Sequence, residues 1–227
     1  MAIGVISALT EPLRLLVKTG SFVVLLINGS MIQAGGWATA VLDELPEFAV
    51  RGEPVNVTFT LRQHGIAPLK NLKIHIVAKN KTRGEILNLT VNELADGIYT
   101  SDLDFPSLGT WDWEIKTDWP GPSEMPPIEV VEFASESMHQ TSSYQRGARL
   151  FITKGCITCH KNARVQSGNV RSLQIGIDLT SYKASAKFLH LWLTDPKAVK
   201  PESTMPDQDL NRDEIIALTS LFTEEKF

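Results

Sequence analysis

Two cysteines and a histidine form the stretch of this sequence whose spacing specifies a chemistry, Cys156-Ile157-Thr158-Cys159-His160. Two thiols at this spacing can add to the two vinyl groups of a protoporphyrin, and a histidine directly after the second thiol then lies over one face of the ring as an iron ligand. A zinc site would need further ligands, and the chain has no third cysteine. A thioredoxin-like redox pair would need a preceding strand, whereas the residues before Cys156 are typical of a helix. We therefore expect one covalently attached haem c, bound through Cys156 and Cys159 and ligated by His160.

A second axial ligand is expected on the other face of the iron. Met205 lies in Ser203-Thr204-Met205-Pro206, a proline-flanked loop that can follow a rigid, non-helical path. Its thioether is a soft ligand that raises the reduction potential of a haem. His190 is the competing candidate, but its apolar surroundings favour a surface or core position. The expected axial pair is His160 and Met205.

Two kinds of element must position these residues. Residues 35–133 alternate apolar and polar side chains with period two and are interrupted by glycine and proline turns, which predicts an antiparallel, immunoglobulin-like β-sandwich. Residues 134–142 form a polar linker, and residues 143–227 show helical patterns. The predicted strands are Val55–Leu61, Leu72–Val77, Ile86–Val91, Ile98–Leu103, Thr110–Lys116 and Ile128–Phe133; the predicted helices are Tyr144–Lys154, Ala184–Leu193 and Arg212–Glu225.

Several motifs surround the Cys156–His160 stretch in a fixed order. They are Gly147 to Phe151 ahead of it, then Ile177-Asp178-Leu179-Thr180, Phe188 to Leu193 with Asp195-Pro196, Met205-Pro206, and Glu214 to Leu218. Together they make residues 143–227 resemble a small, monohaem class I cytochrome c domain.

Added to the sandwich that the strand pattern predicts, this resemblance implies a fold class of two domains, an all-β immunoglobulin-like sandwich followed by an all-α cytochrome c fold. It also implies thioether bonds at Cys156 and Cys159, a proximal His160, a distal Met205, and a first and last helix that cross, with Gly147, Phe151, Leu218 and Phe222 at the contact. The family often has Gly-Pro where this chain has Gly176-Ile177, so the carbonyl that orients His160 is not assigned by the sequence.

The front part of the chain resembles, less specifically, the small extracytoplasmic sandwiches of the YtkA/FixH type. The resemblance is based on Gly97-Ile98-Tyr99 and Gly109-Thr110-Trp111-Asp112-Trp113. Such domains occur near copper or oxidase-assembly functions, which makes His64 and His75 candidate copper ligands. Without an accompanying Met or Cys cluster, these two histidines are better explained as ordinary surface or partly buried side chains.

The N-terminal residues 1–34 have the features of an export segment. Arg14 and Lys18 precede the apolar run Phe22–Ile27, and small residues follow it. Cleavage is expected after Ala34, with Ala38-Thr39-Ala40 as a second candidate. A retained segment would instead hold the chain at a membrane surface. Either outcome predicts an extracytoplasmic location, in the periplasm or on the outer face of the cytoplasmic membrane.

Composition and charge limit the kinds of partner that this chain is expected to bind. The 227 residues are 43% hydrophobic with a net charge of -4, which excludes a disordered chain and gives no reason to expect nucleic acid. Residues 37–133 hold 8 basic and 15 acidic side chains, whereas residues 143–227 hold 12 basic and 9 acidic ones. Lys154, Lys161, Arg164 and Arg171 surround the cysteine motif, which predicts a basic rim that steers an acidic redox partner.

The expected function is therefore that of an exported, haem-binding electron-transfer protein, a carrier rather than an enzyme. Its expected partner is a redox protein, such as a membrane oxidoreductase or an oxidase. Two alternatives remain open: a haem-based ligand sensor, and an oxidase-assembly or copper-handling module with an accessory cytochrome domain.

Overall fold

The computed structural model describes residues 36–121, 124–135, 141–165 and 172–223. The strands of this part of the chain are β1 (Ala38–Leu42), β2 (Ala49–Val50), β3 (Val55–Gln63), β4 (Ala67–Pro68), β5 (His75–Asn80), β6 (Ile86–Thr90), β7 (Asn92–Ala95), β8 (Ile98–Leu103), β9 (Gly109–Lys116) and β10 (Glu124–Val131). One sheet has the order β1-β3-β8-β7, with β4 also paired to β3, and the other has the order β2-β10-β9-β5-β6. Neighbouring strands are antiparallel, except that β2 and β10 are parallel.

The two sheets pack face to face, because their strands bury every second side chain. On β3 the buried side chains are those of Val57, Phe59 and Leu61, and on β9 they include Trp111 and Trp113. Both indole groups are satisfied inside the core, since Trp111 donates to the carbonyl of Ser107 and Trp113 donates to that of Pro126. The immunoglobulin-like β-sandwich that the sequence predicted is present.

Strand β1 departs from this alternation, because all five of its residues are buried. One face of β1 contacts the sandwich core. The other face lies against the helical part of the chain, where Gly155 sits directly on Thr39 and Ala40. A strand covered on both faces loses the period-two pattern, so the sequence indicates no strand here and Ala38-Thr39-Ala40 resembles a cleavage site instead.

Five short helices follow the sandwich within the described residues. They are α1 (Ser143–Thr153), α2 (Cys156–Cys159), α3 (Ala186–Thr194), α4 (Pro196–Val199) and α5 (Arg212–Ser220). Helices α1 and α5 both begin with a capping box, formed by Ser142 with Gln145 and by Asn211 with Glu214. The two helices cross closely at Gly147, where a Cβ atom would overlap the carbonyl oxygen of Ala217.

The prediction of an all-α, class I cytochrome c fold after the sandwich is wrong. Strand residues outnumber helical ones in the described chain, and α2 and α4 are single turns. No helix forms in the described stretches 160–165, 172–185 and 200–211, where Pro201 and Pro206 oppose helical continuation. Helix α1 also contacts β1 and β10 of the sandwich.

Some expectations fall outside the described residues. The predicted export segment, residues 1–34, lies there, as do Arg171 and most of the predicted linker. Among the residues that are described, no helix is both long and apolar enough to cross a bilayer.

Candidate functional site

The two cysteines lie on a single helical turn that begins directly after a glycine. Helix α1 ends at Thr153 with Lys154 as its C-cap, and Gly155 then adopts a left-handed conformation with φ of 74°. This conformation suits glycine, and a Cβ here would also strike Thr39 on β1. Helix α2 follows at once, so Cys156 and Cys159 lie three residues apart on one helical face.

His160 lies directly after this turn, and one nitrogen of its ring is held by a hydrogen bond to the backbone. Its Nδ1 atom is 2.9 Å from the carbonyl oxygen of Ile177. Because a carbonyl oxygen can only accept, Nδ1 carries the proton and Nε2 presents a lone pair. This is the form of histidine that binds a metal, with the second ring nitrogen oriented by a backbone carbonyl.

Gly176 holds the loop that supplies this carbonyl. Its backbone N–H donates to the carbonyl of Cys159 at 2.9 Å, which joins the loop to the cysteine turn. A Cβ atom at Gly176 would come within 2.6 Å of Nδ1 and 2.9 Å of Nε2 of His160. The imidazole is therefore packed against bare backbone, and any larger residue at Gly176 would displace it.

The two thiols are free and partly buried. Burial raises the pKa of the Cys156 thiol to about 12 and also raises the pKa of Cys159. Both side chains are therefore neutral at physiological pH, which disfavours the thiolate chemistry of a redox-active pair or a metal ligand. A neutral thioether is compatible with the same surroundings.

Met205 lies on a separate segment and contacts the end of α3. The indole N–H of Trp192 donates to Sδ of Met205 at 3.1 Å, and the backbone N–H of Met205 donates to the hydroxyl of Ser203. Helix α3 is itself fixed at its N-terminus by Ser185, whose hydroxyl accepts from the N–H of Phe188. Met205 therefore has a defined position, set by Trp192.

Large apolar side chains are left exposed on both of these segments. They are Leu173, Ile175 and Ile177 near His160, and Phe188 and Leu191 on α3, and they are between 38% and 61% exposed. The ring of Phe188 stacks on that of Trp192, with the centroids 5.9 Å apart. Exposed apolar side chains of this size on each segment are available to cover a hydrophobic ligand or partner.

The structure brings together Cys156, Cys159 and His160 as the motif predicted, whereas the contacts of Met205 are with Trp192 and its own loop. His190 is exposed on α3. The copper candidates lie on different sheets, since His64 follows β3 and packs against Trp37, while His75 is an exposed residue of β5. Within the described residues, no three His, Cys, Asp or Glu side chains gather as a metal site.

The predicted basic rim differs from the structure at three positions. Lys154 is buried and forms an ion pair with Glu214 at 2.8 Å. Lys161 pairs with Asp178, and Arg164 donates to a backbone carbonyl and lies over the ring of Phe222. These cations therefore serve mainly to hold the chain around the cysteine turn.

Four features of the site are not predicted by the sequence: the Ile177 carbonyl, the bare backbone at Gly176, the hydrogen bond from the Trp192 indole to Met205 and the burial of Lys154. In the sequence, the dipeptide Gly176-Ile177 is only a departure from the family pattern. Each of the four acts through a contact between distant segments, for which single-sequence patterns carry no signal.

Comparisons with known proteins give no family, because no family model and no curated protein matches this chain. Among solved structures, the chain is similar to the filamin domain of Lin-41, with a TM-score of 0.35 and 12% identity over 42% of this chain and 93% of that one. It is also similar to the alpha-2-macroglobulin of E. coli, with a TM-score of 0.35 and 20% identity over 45% of this chain and 6% of that one. For the C-terminal domain of ZirS, the TM-score is 0.34 and the identity 15%, over 57% of this chain and 87% of that one.

The chain's own sheets and helices define it as an immunoglobulin-like sandwich with short helices packed on it. The assignment to the class I cytochrome c family is corrected on this ground, together with the all-α fold class.

Proposed function

We propose that this chain is an exported electron-transfer protein that carries one haem c, attached through Cys156 and Cys159 and ligated by His160 and Met205. The observation that carries the proposal is the orientation of the His160 ring, whose Nδ1 is engaged by the Ile177 carbonyl so that Nε2 is free to bind iron. This imidazole follows directly after the two thiols, which is the arrangement that covalent haem attachment needs.

The residues around the motif fit such a group. The imidazole lies against Gly176, where a Cβ would fill the space that the ring occupies. The buried, neutral environment of the thiols tolerates thioether bonds without a charge. The exposed apolar side chains on the His160 and α3 segments supply surface that a porphyrin would cover.

When bound, the haem supplies an iron that gains and loses a single electron. The chain's residues hold it and tune it. The Ile177 carbonyl keeps the proton on Nδ1 of His160 and increases the basicity of Nε2. Met205 offers a soft sulfur ligand that favours the reduced state, and the Trp192 N–H fixes the direction of that sulfur.

The function proposed on this basis is relay between other proteins, with no catalytic acid, base or nucleophile. A donor and an acceptor are required, and a membrane oxidoreductase or oxidase fits the extracytoplasmic location expected from residues 1–34. The haem-sensor alternative differs at one ligand, because a sensor leaves the sixth position of the iron open to a small molecule.

The proposal is tested by producing the full chain in a bacterial host that attaches haem c in its periplasm. Haem that stays with the polypeptide on a denaturing gel, and that is lost when Cys156 and Cys159 are both changed to Ala, supports it. A chain exported and folded without covalent haem contradicts it. A ferrous protein that binds carbon monoxide readily at neutral pH would favour the sensor.

Gly176→Ala supplies a sharper variant with a matched control. The added methyl group must push the His160 ring away from its position, so the haem should attach but its histidine ligation should weaken. Gly84→Ala is the control, because a Cβ there meets nothing within 4 Å. Equal absorption spectra for the two variants would contradict the assignment of His160.

A further inference from the structure

The sandwich contacts the proposed haem site at two separate places, and each lies beside a proposed ligand. Strand β1 lies against Gly155, the residue before Cys156. The turn that follows β3 lies against Pro206, the residue after Met205: a Cβ at Gly65 would be 3.0 Å from Cγ of Pro206. The cysteine turn and the Met205 loop thus both contact the sheet that contains β1 and β3.

An ion pair strengthens the second contact. Arg62, at the end of β3, reaches Asp209 in the Met205 loop, with 3.2 Å between Nη2 and Oδ2. The Arg62 side chain is largely covered, whereas that of Asp209 is exposed. These two residues are 147 positions apart in the sequence, so the ion pair joins the loop to the sandwich.

The Met205 loop needs this support because it has little regular structure of its own. Residues 200–211 form no helix, and Asp209 has a positive φ of 51°. Within the loop, Met205 is anchored through Ser203 and through Trp192 on α3. Ser203 and Trp192 both precede Met205 in the sequence, whereas Pro206 follows it. The sandwich therefore holds the loop on the C-terminal side of Met205.

We propose that the sandwich is a positioning element for the redox centre: the end of β3 and the β3–β4 turn, through Arg62 and Gly65, set the position of Met205 as the axial ligand. This inference rests on the proposed haem function and gives the front half of the chain a role in it. The turn does not touch iron or haem in this proposal; it acts through Pro206 and Asp209.

Left-handed glycines provide an internal control for the test. Gly65 has φ of 73°, Gly84 has φ of 71° and Gly52 has φ of 76°, so alanine is strained to a similar degree at all three. Only at Gly65 does the added Cβ meet Pro206; at Gly84 and Gly52 it meets nothing within 4 Å. A difference between these variants therefore reports the contact and not the backbone strain.

The experiment compares G65A with G84A and G52A in the full chain carrying haem. The readouts are the Met-to-iron charge-transfer absorption of the ferric protein and the reduction potential. We expect G65A to lose part of that absorption and to have a lower potential, with covalent haem retained, because loss of a thioether ligand favours the oxidised state. Equal spectra and potentials in all three variants would overturn the proposal.

A second pair of variants leaves the backbone unchanged. Arg62→Ala removes the ion pair with Asp209 in the Met205 loop. Arg51→Ala is the control, because it also removes a single arginine–carboxylate pair, the one with Glu132 in the sandwich. Arg62→Ala should weaken the charge-transfer absorption more than Arg51→Ala does, and Arg62→Lys should restore part of it. No difference between the two alanine variants would overturn the role of Arg62.

Failure of the proposed function gives a different result from failure of this inference. If the unaltered chain carries no covalent haem, the proposed function fails. The methyl resonance of isotope-labelled Met205 in the same chain then tests the contact: a shift in G65A and not in G84A supports positioning by the turn, and no shift overturns it. Haem that attaches without any Met-to-iron absorption overturns the ligand role of Met205 and this inference with it.

Discussion

Removal of the buried cation Lys154 should destabilise the protein more than any single surface charge. Its Nζ lies 2.8 Å from Glu214 on α5 and 2.9 Å from the carbonyl oxygen of Asp43 in the loop after β1. Both charged side chains are only 5% exposed. The pair therefore links α1, α5 and the sandwich out of contact with water.

The expected loss of folding stability follows from the Glu214 carboxylate, which Lys154→Met leaves unpaired. The carboxylate of Glu214 would stay buried without its cation, which costs about 3–5 kcal/mol when one partner of a buried pair is removed. This is a large part of the roughly 5–15 kcal/mol by which proteins of ordinary stability resist unfolding. The double variant Lys154→Met with Glu214→Gln should recover most of the loss, because a glutamine can still accept from the N–H of Asn211.

The assay is urea-induced unfolding followed by tryptophan fluorescence, with the free energy taken from midpoint and slope. Lys81→Met is the control, since the pair of Lys81 with Asp112 has a similar length of 3.0 Å but side chains that are 49% and 55% exposed. Such a surface pair contributes less than about 1 kcal/mol. Equal losses for the two single variants, or no recovery in the double variant, would refute the role of Lys154.

Three further predictions test the packing and the thiols. Gly147→Ala places a Cβ against the carbonyl of Ala217 where α1 crosses α5 and should cost about 1–3 kcal/mol; an unchanged thermal midpoint would contradict the close crossing. Tyr99→Phe removes a hydroxyl that donates to the carbonyl of Leu69 at 2.7 Å, with an expected loss of about 1–3 kcal/mol in urea unfolding. In protein without haem, burial raises the pKa of Cys156 from 9.0 to about 12, so the folded state holds a proton that the unfolded state releases and stability should fall as pH rises across that interval. Cys156→Ala should flatten this pH dependence, and an identical dependence would show that the thiol is not buried.

The strands were predictable where one face is buried. The alternating pattern of Val57, Phe59 and Leu61 placed β3 correctly, and the strand predicted at Ile98–Leu103 is β8. Strand β1 was missed because its second face is covered by the helical part of the chain. Its small, buried residues carry no alternation, so only the tertiary structure shows that Ala38-Thr39-Ala40 is a strand.

Three of the five described helices, α1, α3 and α5, were predicted within two residues of their starts, whereas the single turns α2 and α4 were not predicted and the all-α domain was not found. Caps such as Asn211 and apolar periodicity are local signals. The way in which α1 lies on the sandwich depends on contacts of Gly155 with Thr39 and of Lys154 with Asp43, which are far apart in the sequence. The same limit applied to the site, where the motif indicated His160 but not the Ile177 carbonyl that orients it.

Covalent attachment of haem to the cysteine turn is the central claim, and the mass of one peptide tests it directly. Cleavage after Lys154 and Lys161 releases residues 155–161, which contain both cysteines and His160. From the full chain produced with haem c attachment, this peptide should carry the added mass of one haem. Recovery of the same peptide from the folded, exported chain with two free thiols or a disulfide would contradict the proposal.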